Sequence, residues 1–381
     1  MAKDSDIPST HPLTPPLTEE AWLDWFRLLR SRRVGVATFH RLMGEYGTAA
    51  AALGALPGIA RDAGVENYAP CPRAVVDREL AAGDRAGARP LAFGDPAYPA
   101  LLSVIPDPPP ILWTIGNREL LNRPLTALVG ARNASSLGTR MARKLAGELG
   151  EAGHVVVSGL ARGIDTAAHL ASLPKGTIAV MPGGIDVITP AENAVLAQEI
   201  GEQGLLIAEA PMHTDPRPGH FLQRNRIISG LCPALIVVEA AAKSGSHSVA
   251  STALDQGRDV LAVPGHPFDA RSAGSNMLIR DGATLIRHAG DLFEALGPGD
   301  DALEPPPETR SPPDPPPPTK DTKALHAEIL ARLGHAPEDE DSLIRALPAP
   351  PGRVSSELVA LELDGRIRRD ARNRFALGSS A

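Results

Sequence analysis

Seven short apolar runs in the middle of the chain, separated by amphipathic stretches, constrain the fold more than any other feature. The runs are "LTALVG" (125–130), "HVVVSG" (154–159), "TIAVMPGG" (177–184), "LLIAEA" (205–210), "ALIVVEA" (234–240), "DVLAVPG" (259–265) and "TLIRH" (284–288). Apolar strands that alternate with helices predict a parallel sheet covered on both faces. The sequence therefore predicts a doubly wound α/β domain over residues 86–297, with ligands bound at the carboxyl ends of its strands.

The segment before this domain has helical periodicity. In "LTEEAWLDWFRLLRS" Thr18 is a candidate N-cap, and the apolar residues Trp22, Trp25, Phe26 and Leu29 recur at helical spacing. Short helices broken at glycines predict a compact helical domain over 19–85, similar to SAM or helix-hairpin-helix modules. Such a domain either presents backbone amides to phosphate or serves only for packing. The polar, Pro-rich residues 1–18 are predicted to form a disordered tail.

The C-terminal part begins with a Pro-rich stretch over 298–322, which is predicted to be an extended linker. Three helices and a β-wing are then predicted over 323–379, a pattern typical of a winged-helix domain. Five arginines crowd the wing: Arg366, Arg368, Arg369, Arg372 and Arg374. Such a domain either binds duplex DNA through its third helix or docks another protein.

Composition limits the kinds of function. The formal net charge is −7, which argues against a uniformly basic nucleic-acid binder but leaves room for a local basic groove. Aromatic residues make up only 3%, so a nucleic-acid site here depends mainly on backbone contacts. The two cysteines fit a reducing compartment, and no run has the length of a signal peptide or a membrane span. We therefore expect a cytoplasmic protein without a membrane partner.

The loops after the predicted strands carry most of the chemical information. "VGARNAS" places Gly130 where the backbone can approach a ligand closely, and "SGLARGIDTAAH" offers unpaired amides at a helix start that Asp165 or Thr166 can cap. "EAAAKSGSHSVAST" is a second Gly/Ser turn before a helix. One Gly-rich loop is weak evidence, because glycine also permits a tight turn. Several such loops on one sheet edge, interleaved with arginines, predict a site for an extended polyanion or a nucleotide.

The stretch "HFLQRNRIISG" (220–230) places two arginines at the start of a helix. Arg224 and Arg226 are two residues apart and diverge by about 200° around a helix axis. We therefore expect one to face the rim and the other to form an internal ion pair with Glu209 or Glu239. Phe221 either stacks on a base or packs against protein.

No established catalytic pattern is recognisable. HExxH, GxSxG, GxxxxGK[ST] and an ordered GxGxxG are missing from the sequence. Asp186, Glu209 and Glu239 are either paired carboxylates or structural partners of arginines, and His169 is expected to pack against a neighbour. The sequence gives no reason to expect a metal, a cofactor or an enzyme.

At these loops the chain resembles the DNA-processing protein A family over almost its whole length. The motifs that carry the resemblance are "SGLARGIDTAAH", "GHFLQRNRIISGL", "VVEAAAKSGS", "GRDVLAVPG" and "GSNMLIRDGATLI", in family order. The resemblance implies a Rossmann-like core and a single-stranded DNA-binding protein that acts in natural transformation. It also implies protection of incoming DNA, loading of RecA recombinase and a homodimer formed through the Rossmann-like domain.

The resemblance also implies a DNA site. The family's core arginine falls on Arg132. Together with neighbours on the approach loop, the predicted site residues are Arg132, Ser158, Gly159, Arg162, Gly163, Arg217, His220, Phe221, Arg224, Asn225, Arg226, Lys243, Ser244, Gly245 and Ser246. A family lysine before the "HF" pair is replaced by "RPG", so Arg217 has to supply that charge. "HSV" after "SGS" also departs from the family pattern.

Two rival functions follow from the same residues. "PGG" (182–184) resembles a loop of phosphoribohydrolases, which are nucleotide hydrolases on a related core, but the Thr and Glu that follow it in that group are missing from "PGGIDVITP". The second rival function is that of a DNA–protein scaffold, in which the winged helix recruits a partner.

Overall fold

The structure is a computed structural model that describes residues 15–297 without a gap. In the C-terminal part it describes residues 320–333, 338, 340–347, 349, 354, 358, 361, 366–369 and 374–377. The predicted tail over 1–18 and the predicted linker over 298–322 lie mostly outside these residues. The chain divides into two compact units, 1–300 and 301–381.

The first unit is built on one nine-stranded sheet with the order β1-β2-β6-β5-β4-β3-β7-β8-β9. Strands β3 to β9 are parallel, whereas β2 pairs antiparallel with β1 and with β6. The strands are β1 Arg89–Ala92, β2 Ile111–Gly116, β3 Leu125–Val129, β4 Val155–Ser158, β5 Thr177–Met181, β6 Leu205–Ala208, β7 Ala234–Val237, β8 Asp259–Ala262 and β9 Thr284–Leu285. The predicted mostly parallel, doubly wound sheet is confirmed. The antiparallel strands β1 and β2 are additions that the apolar runs did not indicate.

Helices cover the sheet and form the N-terminal domain. They are α1 Glu19–Arg30, α2 Val36–Tyr46, α3 Ala49–Asp62, α4 Arg73–Arg85, α5 Ala100–Ser103, α6 Ser136–Glu151, α7 Ile164–Ser172, α8 Ala194–Gln203, α9 Pro218–Gly230, α10 Gly245–Asp255, α11 Ala273–Arg280 and α12 Ala289–Leu296. Two 3₁₀ helices span Arg118–Asn122 and Ala191–Asn193. None of the helices in the described residues is long and apolar enough to cross a bilayer.

The strand order creates a crevice between β3 and β7. From β3 the chain proceeds outward through β4, β5 and β6, and it then returns to place β7 on the other side of β3. Loops that leave adjacent strands on opposite sides open a gap at the carboxyl edge, where doubly wound proteins bind ligands. This switch point positions the candidate site.

The N-terminal helices pack directly on the sheet. Thr18 caps α1 as predicted, because its hydroxyl accepts a hydrogen bond from the Ala21 amide at 3.2 Å. Phe26 is fully buried, and its ring lies 5.4 Å from that of Trp113 on β2. The Trp113 indole donates to Glu79, which also pairs with Arg30 at 2.8 Å. The helical domain and the α/β core therefore share one interior, and the boundary predicted between them stays a prediction.

The second unit is a small winged-helix domain, as predicted. It contains α13 Lys320–Leu333, α14 Glu340–Ala346 and an antiparallel pair of strands, β10 Ile367–Arg369 and β11 Phe375–Leu377. Val354, Leu358 and Leu361 are helical and buried at a spacing of four and three residues. Arg366 is exposed, whereas Arg372 lies outside the described residues.

Candidate nucleic-acid interface

A cavity of about 470 Å³ opens at the switch point between β3 and β7, and we call it the switch-point cavity. The end of β3, the first turns of α9 and the loop between β7 and α10 form its walls. Its polar and glycine lining comprises Gly130, Arg132, Asn133, Asp165, Arg224, Asn225, Ser244, Gly245, Ser246 and Arg271, and Phe221 also faces it. Seven of the fifteen predicted site residues are thus brought together: Arg132, Phe221, Arg224, Asn225, Ser244, Gly245 and Ser246.

Arg132 and Arg271 are the exposed cations of this cavity, and Arg271 is paired with Asp269. The Arg132 guanidinium lies 5.1 Å from the centre of the Phe221 ring. Among the described residues Arg132 forms no ion pair or hydrogen bond through its side chain. A guanidinium held over an aromatic face keeps its planar donors free for a phosphate. Phe221 contacts Arg132 at the cavity wall and is not part of the core. This position is compatible with both predicted roles of its ring, stacking on a base and packing against protein.

Polar groups of α9 and α10 complete the wall. Ser246 is buried, and its hydroxyl donates to the Gly130 carbonyl at 2.7 Å, which fastens α10 to the end of β3. Ser244 caps α10 by accepting from the His247 amide at 3.4 Å. Asn225 is only 5% exposed and lines the cavity. Its side-chain amide can both donate and accept hydrogen bonds, so it is a candidate ligand contact.

The loop between β4 and α7 does not have the open amides that the sequence predicted. The Gly159 and Ala161 amides donate to the buried Asp165 carboxylate at 3.2 and 3.3 Å. Burial raises the pKa of Asp165, and the nearby Arg224 charge opposes that rise. The expectation of an empty anion site at this helix start is therefore wrong, because an internal carboxylate already occupies it.

The cap of α7 also differs from the prediction. Gly163, and not Asp165 or Thr166, is the N-cap, with a φ of 74°. A Cβ on Gly163 would lie 2.3 Å from the Ala131 carbonyl oxygen, so the position requires glycine for both conformation and space. Arg162 in the same loop is exposed but pairs with Glu192 at 2.6 Å. Ser158 is fully buried at the end of β4.

Two other glycines approach protein groups where a ligand was expected. A Cβ on Gly130 would lie 2.5 Å from the Ile164 side chain, and one on Gly159 would lie 2.0 Å from the Arg224 guanidinium. These close approaches fix loop packing inside the protein. Gly130 therefore has a packing role, and the interpretation that its backbone approaches a ligand stays a prediction.

Arg224 and Arg226 both turn inward. Arg224 is 7% exposed and donates to the Gly159 and Val180 carbonyls at 2.7 and 2.8 Å, and burial lowers its pKa to about 10. Arg226 is 8% exposed and pairs with Glu209 at 2.6 Å. The predicted ion pair with Glu209 is confirmed. The expectation that the other arginine faces the rim is wrong, because Arg224 only reaches the cavity floor.

Arg226 belongs to a second cavity of about 500 Å³, which we call the helical-domain cavity. It lies between α1–α2 and the carboxyl ends of β5 and β6, and its charged or titratable lining is Arg30, Asp107, Glu209, His220, Arg224 and Arg226. Arg226 bonds Asp107 at 3.0 Å in addition to Glu209. Arg217 and Lys243 are exposed but line neither cavity. The fifteen predicted residues therefore divide between two cavities and the loops beside them.

Each of the three candidate carboxylates has its own partner. Glu209 holds Arg226, Asp186 contacts His213, and Glu239 accepts from the Ser135 amide and hydroxyl at 2.9 and 2.5 Å. They therefore do not form a carboxylate pair. Within the described ranges no cluster of His, Cys, Asp and Glu is suited to a metal ion.

Sequence reasoning missed three polar side chains of the switch-point cavity: Asn133, Asp165 as an internal acceptor, and Arg271. Arg271 follows β8 in the loop "VPGHPFDARSAGSN" and pairs with Asp269 at 3.0 Å. The position of this loop at the carboxyl edge was the available signal. His169 packs as predicted: it is fully buried, and its ring contacts the Leu160 amide and the Thr177 hydroxyl.

Comparison with protein families gives three matches in register with this architecture. A family described as DNA recombination-mediator protein A matches residues 89–297. A DprA-like N-terminal HHH domain matches 19–82, and a DprA winged helix domain matches 312–371.

Individual relatives are similar over long stretches. The chain is 43% identical to "DNA processing protein DprA" of Bacillus subtilis over 222 residues, which is 58% of this chain and 75% of the relative. It is 34% identical to "Protein Smf" of Synechocystis over 310 residues, which is 74% of this chain and 78% of the relative.

Two solved structures resemble it as well. DNA processing protein A from Streptococcus pneumoniae aligns with a TM-score of 0.56 and 33% identity over 72% of this chain and 92% of that one. The protein from Helicobacter pylori, whose structure addresses a single-stranded DNA-binding mode, aligns with a TM-score of 0.51 and 32% identity over 55% of this chain and 95% of that one.

Proposed function

This chain belongs to the DNA recombination-mediator protein A family, and from that premise we propose that its switch-point cavity binds single-stranded DNA. The observation that carries the proposal is Arg132, an exposed guanidinium at the strand switch point with no carboxylate partner among the described residues. Phosphate contacts supply most of the affinity for a single strand, and an unpaired arginine is suited to them. The single-stranded DNA-binding mode of the Helicobacter pylori relative supports the same ligand.

The surrounding groups suit one nucleotide and its neighbours. A phosphate beside Arg132 also faces the amino terminus of α10 at Gly245, where backbone amides and the helix dipole favour an anion. A base moving onto the Phe221 ring replaces the guanidinium as its stacking partner, and the Asn225 amide can hydrogen-bond to it. Arg217 and Lys243, two further exposed cations of the predicted site, add long-range attraction. Local charge of this kind is compatible with a net charge of −7.

The function we propose is that of a DNA-binding mediator and not of an enzyme. The glycines of "PGG" support this, since a Cβ on Gly183 would lie 2.5 Å from the Thr214 carbonyl and one on Gly184 would lie 2.8 Å from the Pro211 carbonyl. This loop is packed against the segment after β6, which leaves it unsuited to cradle a nucleotide phosphate. Incubation with nucleoside monophosphates is expected to release no free base, and measurable release would contradict the proposal.

The proposal extends to the partners that family membership suggests. These partners are RecA recombinase and a second copy of the chain. RecA would be loaded onto bound single strands in the cytoplasm during natural transformation. The edge strand β9 supports a homodimer through the Rossmann-like domain, because both its residues are exposed and Leu285 is 42% exposed. Sedimentation of the full chain, with Leu285→Lys as the variant, tests the dimer: we expect the variant to be lighter.

The winged helix is proposed to recruit a partner. Deleting residues 320–381 is expected to leave single-strand binding intact while abolishing binding of RecA or duplex DNA. Loss of single-strand binding in the deleted chain would move the principal DNA site to that domain and contradict the proposal.

The direct test of the DNA site is the affinity for labelled oligo(dT) measured by fluorescence anisotropy at several salt concentrations. Arg132→Ala is expected to weaken binding about 10-fold or more, because it removes a charge-assisted contact. It should also make the log–log salt slope shallower by about 0.7, the value for one phosphate on a single strand.

Lys175→Ala is the matched control. Lys175 is an exposed cation at the amino edge of the sheet, just before β5, and its removal changes the net charge equally. It should bind as the parent does. Equal affinities of parent and Arg132→Ala at every salt concentration would contradict the proposal.

A further inference from the structure

The loop after β8 presents an aromatic ring to solvent. Phe268 is 95% exposed, and its ring centre lies 5.5 Å from that of His266. The loop follows Ala262, so it lies at the same carboxyl edge as the switch-point cavity. In a chain with only 3% aromatic residues, a phenylalanine held almost wholly outside the core needs a physical account.

Hydrogen bonds hold this loop in place. The Asn276 side chain bonds the Gly265 backbone in both directions, at 3.1 and 2.9 Å. The Phe268 amide donates to the His266 ring at 3.3 Å, and Asp269 binds Arg271 through both carboxylate oxygens at 3.0 Å. The backbone that carries Phe268 is therefore held in place, which lowers the entropic cost of ordering this loop around a ligand.

A third cavity, of about 490 Å³, lies between this loop and the first turns of α6. Arg140 and Lys144 line it from α6, and His266 lines it from the loop. Arg140 has no ion-pair partner in the described ranges, and Lys144 has only an exposed pair with Glu148 at 3.7 Å. Phe268 is connected to this cavity through His266, which lines it and lies 5.5 Å from the Phe268 ring. Proteins bind single strands by combining aromatic rings for the bases with cations for the backbone.

Two carboxylates also line this cavity, and both are engaged within the protein. Glu239 accepts from the Ser135 amide and hydroxyl, and Asp269 is neutralised by Arg271. Glu239 keeps its charge but is only 7% exposed, so the charges most accessible to a ligand in this cavity are those of Arg140 and Lys144, which attract a polyanion.

The third cavity adjoins the switch-point cavity across two short segments of the chain, and the two cavities share no lining residue. Residues 132–133 and Arg271 line the switch-point cavity, whereas Ser135, Asp269 and Ser272 line the third. The same two segments thus separate the cavities, so a strand that leaves Arg132 reaches Phe268 by crossing them.

We propose that Phe268 and His266, with Arg140 and Lys144, form a second subsite for single-stranded DNA, in which a base stacks on Phe268 and the adjoining phosphates contact the cations of α6. The inference rests on the proposed function of the switch-point cavity and extends it. A strand that occupies both subsites has to be longer than one that occupies the switch-point cavity alone.

The test compares strand lengths in the full chain. Oligo(dT) of about 4 and of about 16 nucleotides spans the range of site sizes known for single-strand binders. Phe268→Ala is expected to weaken binding of the longer strand about 5- to 100-fold and to leave that of the shorter strand unchanged. Leu254→Ala, which truncates an exposed apolar side chain at the far end of α10, should bind both strands as the parent does.

A second variant supplies a direct signal. Phe268→Trp places an exposed indole at the subsite, and we expect its fluorescence to be quenched by the longer strand and unchanged by a duplex of the same sequence. Equal affinity of parent and Phe268→Ala for the longer strand, with Arg132→Ala still impaired, would overturn the subsite alone. A parent that binds neither strand would overturn the proposed function and the subsite with it.

A third outcome separates a protein ligand from DNA. If Phe268→Ala lowers the sedimentation mass of the chain, the ring belongs to a contact between copies and the subsite is overturned. An unchanged mass together with length-dependent weakening supports it.

Discussion

The switch-point cavity and the helical-domain cavity lie at the same carboxyl edge of one sheet and have similar volumes, about 470 and 500 Å³. They differ in how their arginines are partnered. In the helical-domain cavity Arg30 is paired with Glu79, and Arg226 with Glu209 and Asp107. In the switch-point cavity Arg132 has only the Phe221 ring, as far as the described residues go. The number of arginines around a cavity therefore says less about ligand binding than whether acids already neutralise them.

Arg224 connects the two cavities because it lines both. Its guanidinium is held by the Gly159 and Val180 carbonyls, so it fixes the floor of each cavity and contributes a charge that solvent barely reaches. In our proposal, DNA binds on the side of this floor that faces the switch-point cavity. The side that faces the helical-domain cavity stabilises the contact between the sheet and the N-terminal helices.

The largest effect is expected from breaking the ion pair of the helical-domain cavity. Arg226→Ala leaves Glu209 and Asp107 without their cation, and loss of one partner of a buried pair costs about 3 to 5 kcal/mol. We expect the free energy of unfolding, measured by urea denaturation, to fall by about 3 kcal/mol.

Arg162→Ala provides the contrast, because its pair with Glu192 is exposed and should contribute less than about 1 kcal/mol. A smaller loss for Arg226→Ala than for Arg162→Ala would remove the distinction between the structural and the binding cavity.

A somewhat smaller effect is expected at the shared floor. Gly159→Ala places a methyl group 2.0 Å from Nη1 of Arg224, which is buried and bonded on that side. Overpacking of this kind costs about 1 to 3 kcal/mol of unfolding free energy.

Gly245→Ala is the matched control, since nothing lies within 4 Å of its added Cβ. It should unfold within about 1 kcal/mol of the parent. Equal stability of the two variants in thermal and urea unfolding would show that Arg224 can leave Gly159 at little cost.

The smallest of the three effects concerns the pH dependence of the loop under the switch-point cavity. His169 supports this loop by accepting from the Leu160 amide, and burial lowers its pKa to about 3. The unfolded state therefore takes up a proton below about pH 6.5 that the folded state does not, and stability falls as pH drops toward 3. Between about pH 6.5 and 5 we expect a loss of about 2 kcal/mol from this group.

His169→Gln removes the titrating ring and should flatten the stability–pH curve over that range relative to the parent. Superimposable slopes for the two proteins would show that His169 titrates normally in the fold.

The sequence predicts the sheet well because its strands are buried on both faces, and such strands read as apolar runs regardless of their order. The strand order and the antiparallel β1 and β2 depend on tertiary pairing, which a local pattern does not carry. Spacing on a helix correctly separated Arg224 from Arg226. Of the two acids predicted as a partner, Glu209 and Glu239, the structure shows Glu209 paired with Arg226.

The partners of the remaining groups were not predictable from the sequence. Asp165 folds back onto the Gly159 and Ala161 amides, and Arg224 covers Gly159, because residues distant along the chain meet at the sheet edge. A glycine that makes room for an arginine and one that makes room for a phosphate look the same in a sequence. Only the three-dimensional contacts distinguish them.

The most direct test of the central claim is photocross-linking of an oligo(dT) that carries one 5-iodo-deoxyuridine, followed by mass spectrometric mapping of the modified peptide. The account predicts a cross-link at Phe221, in the segment 218–225 that lines the switch-point cavity. A cross-link confined to 29–38 or 209–214, which line the helical-domain cavity, would contradict it.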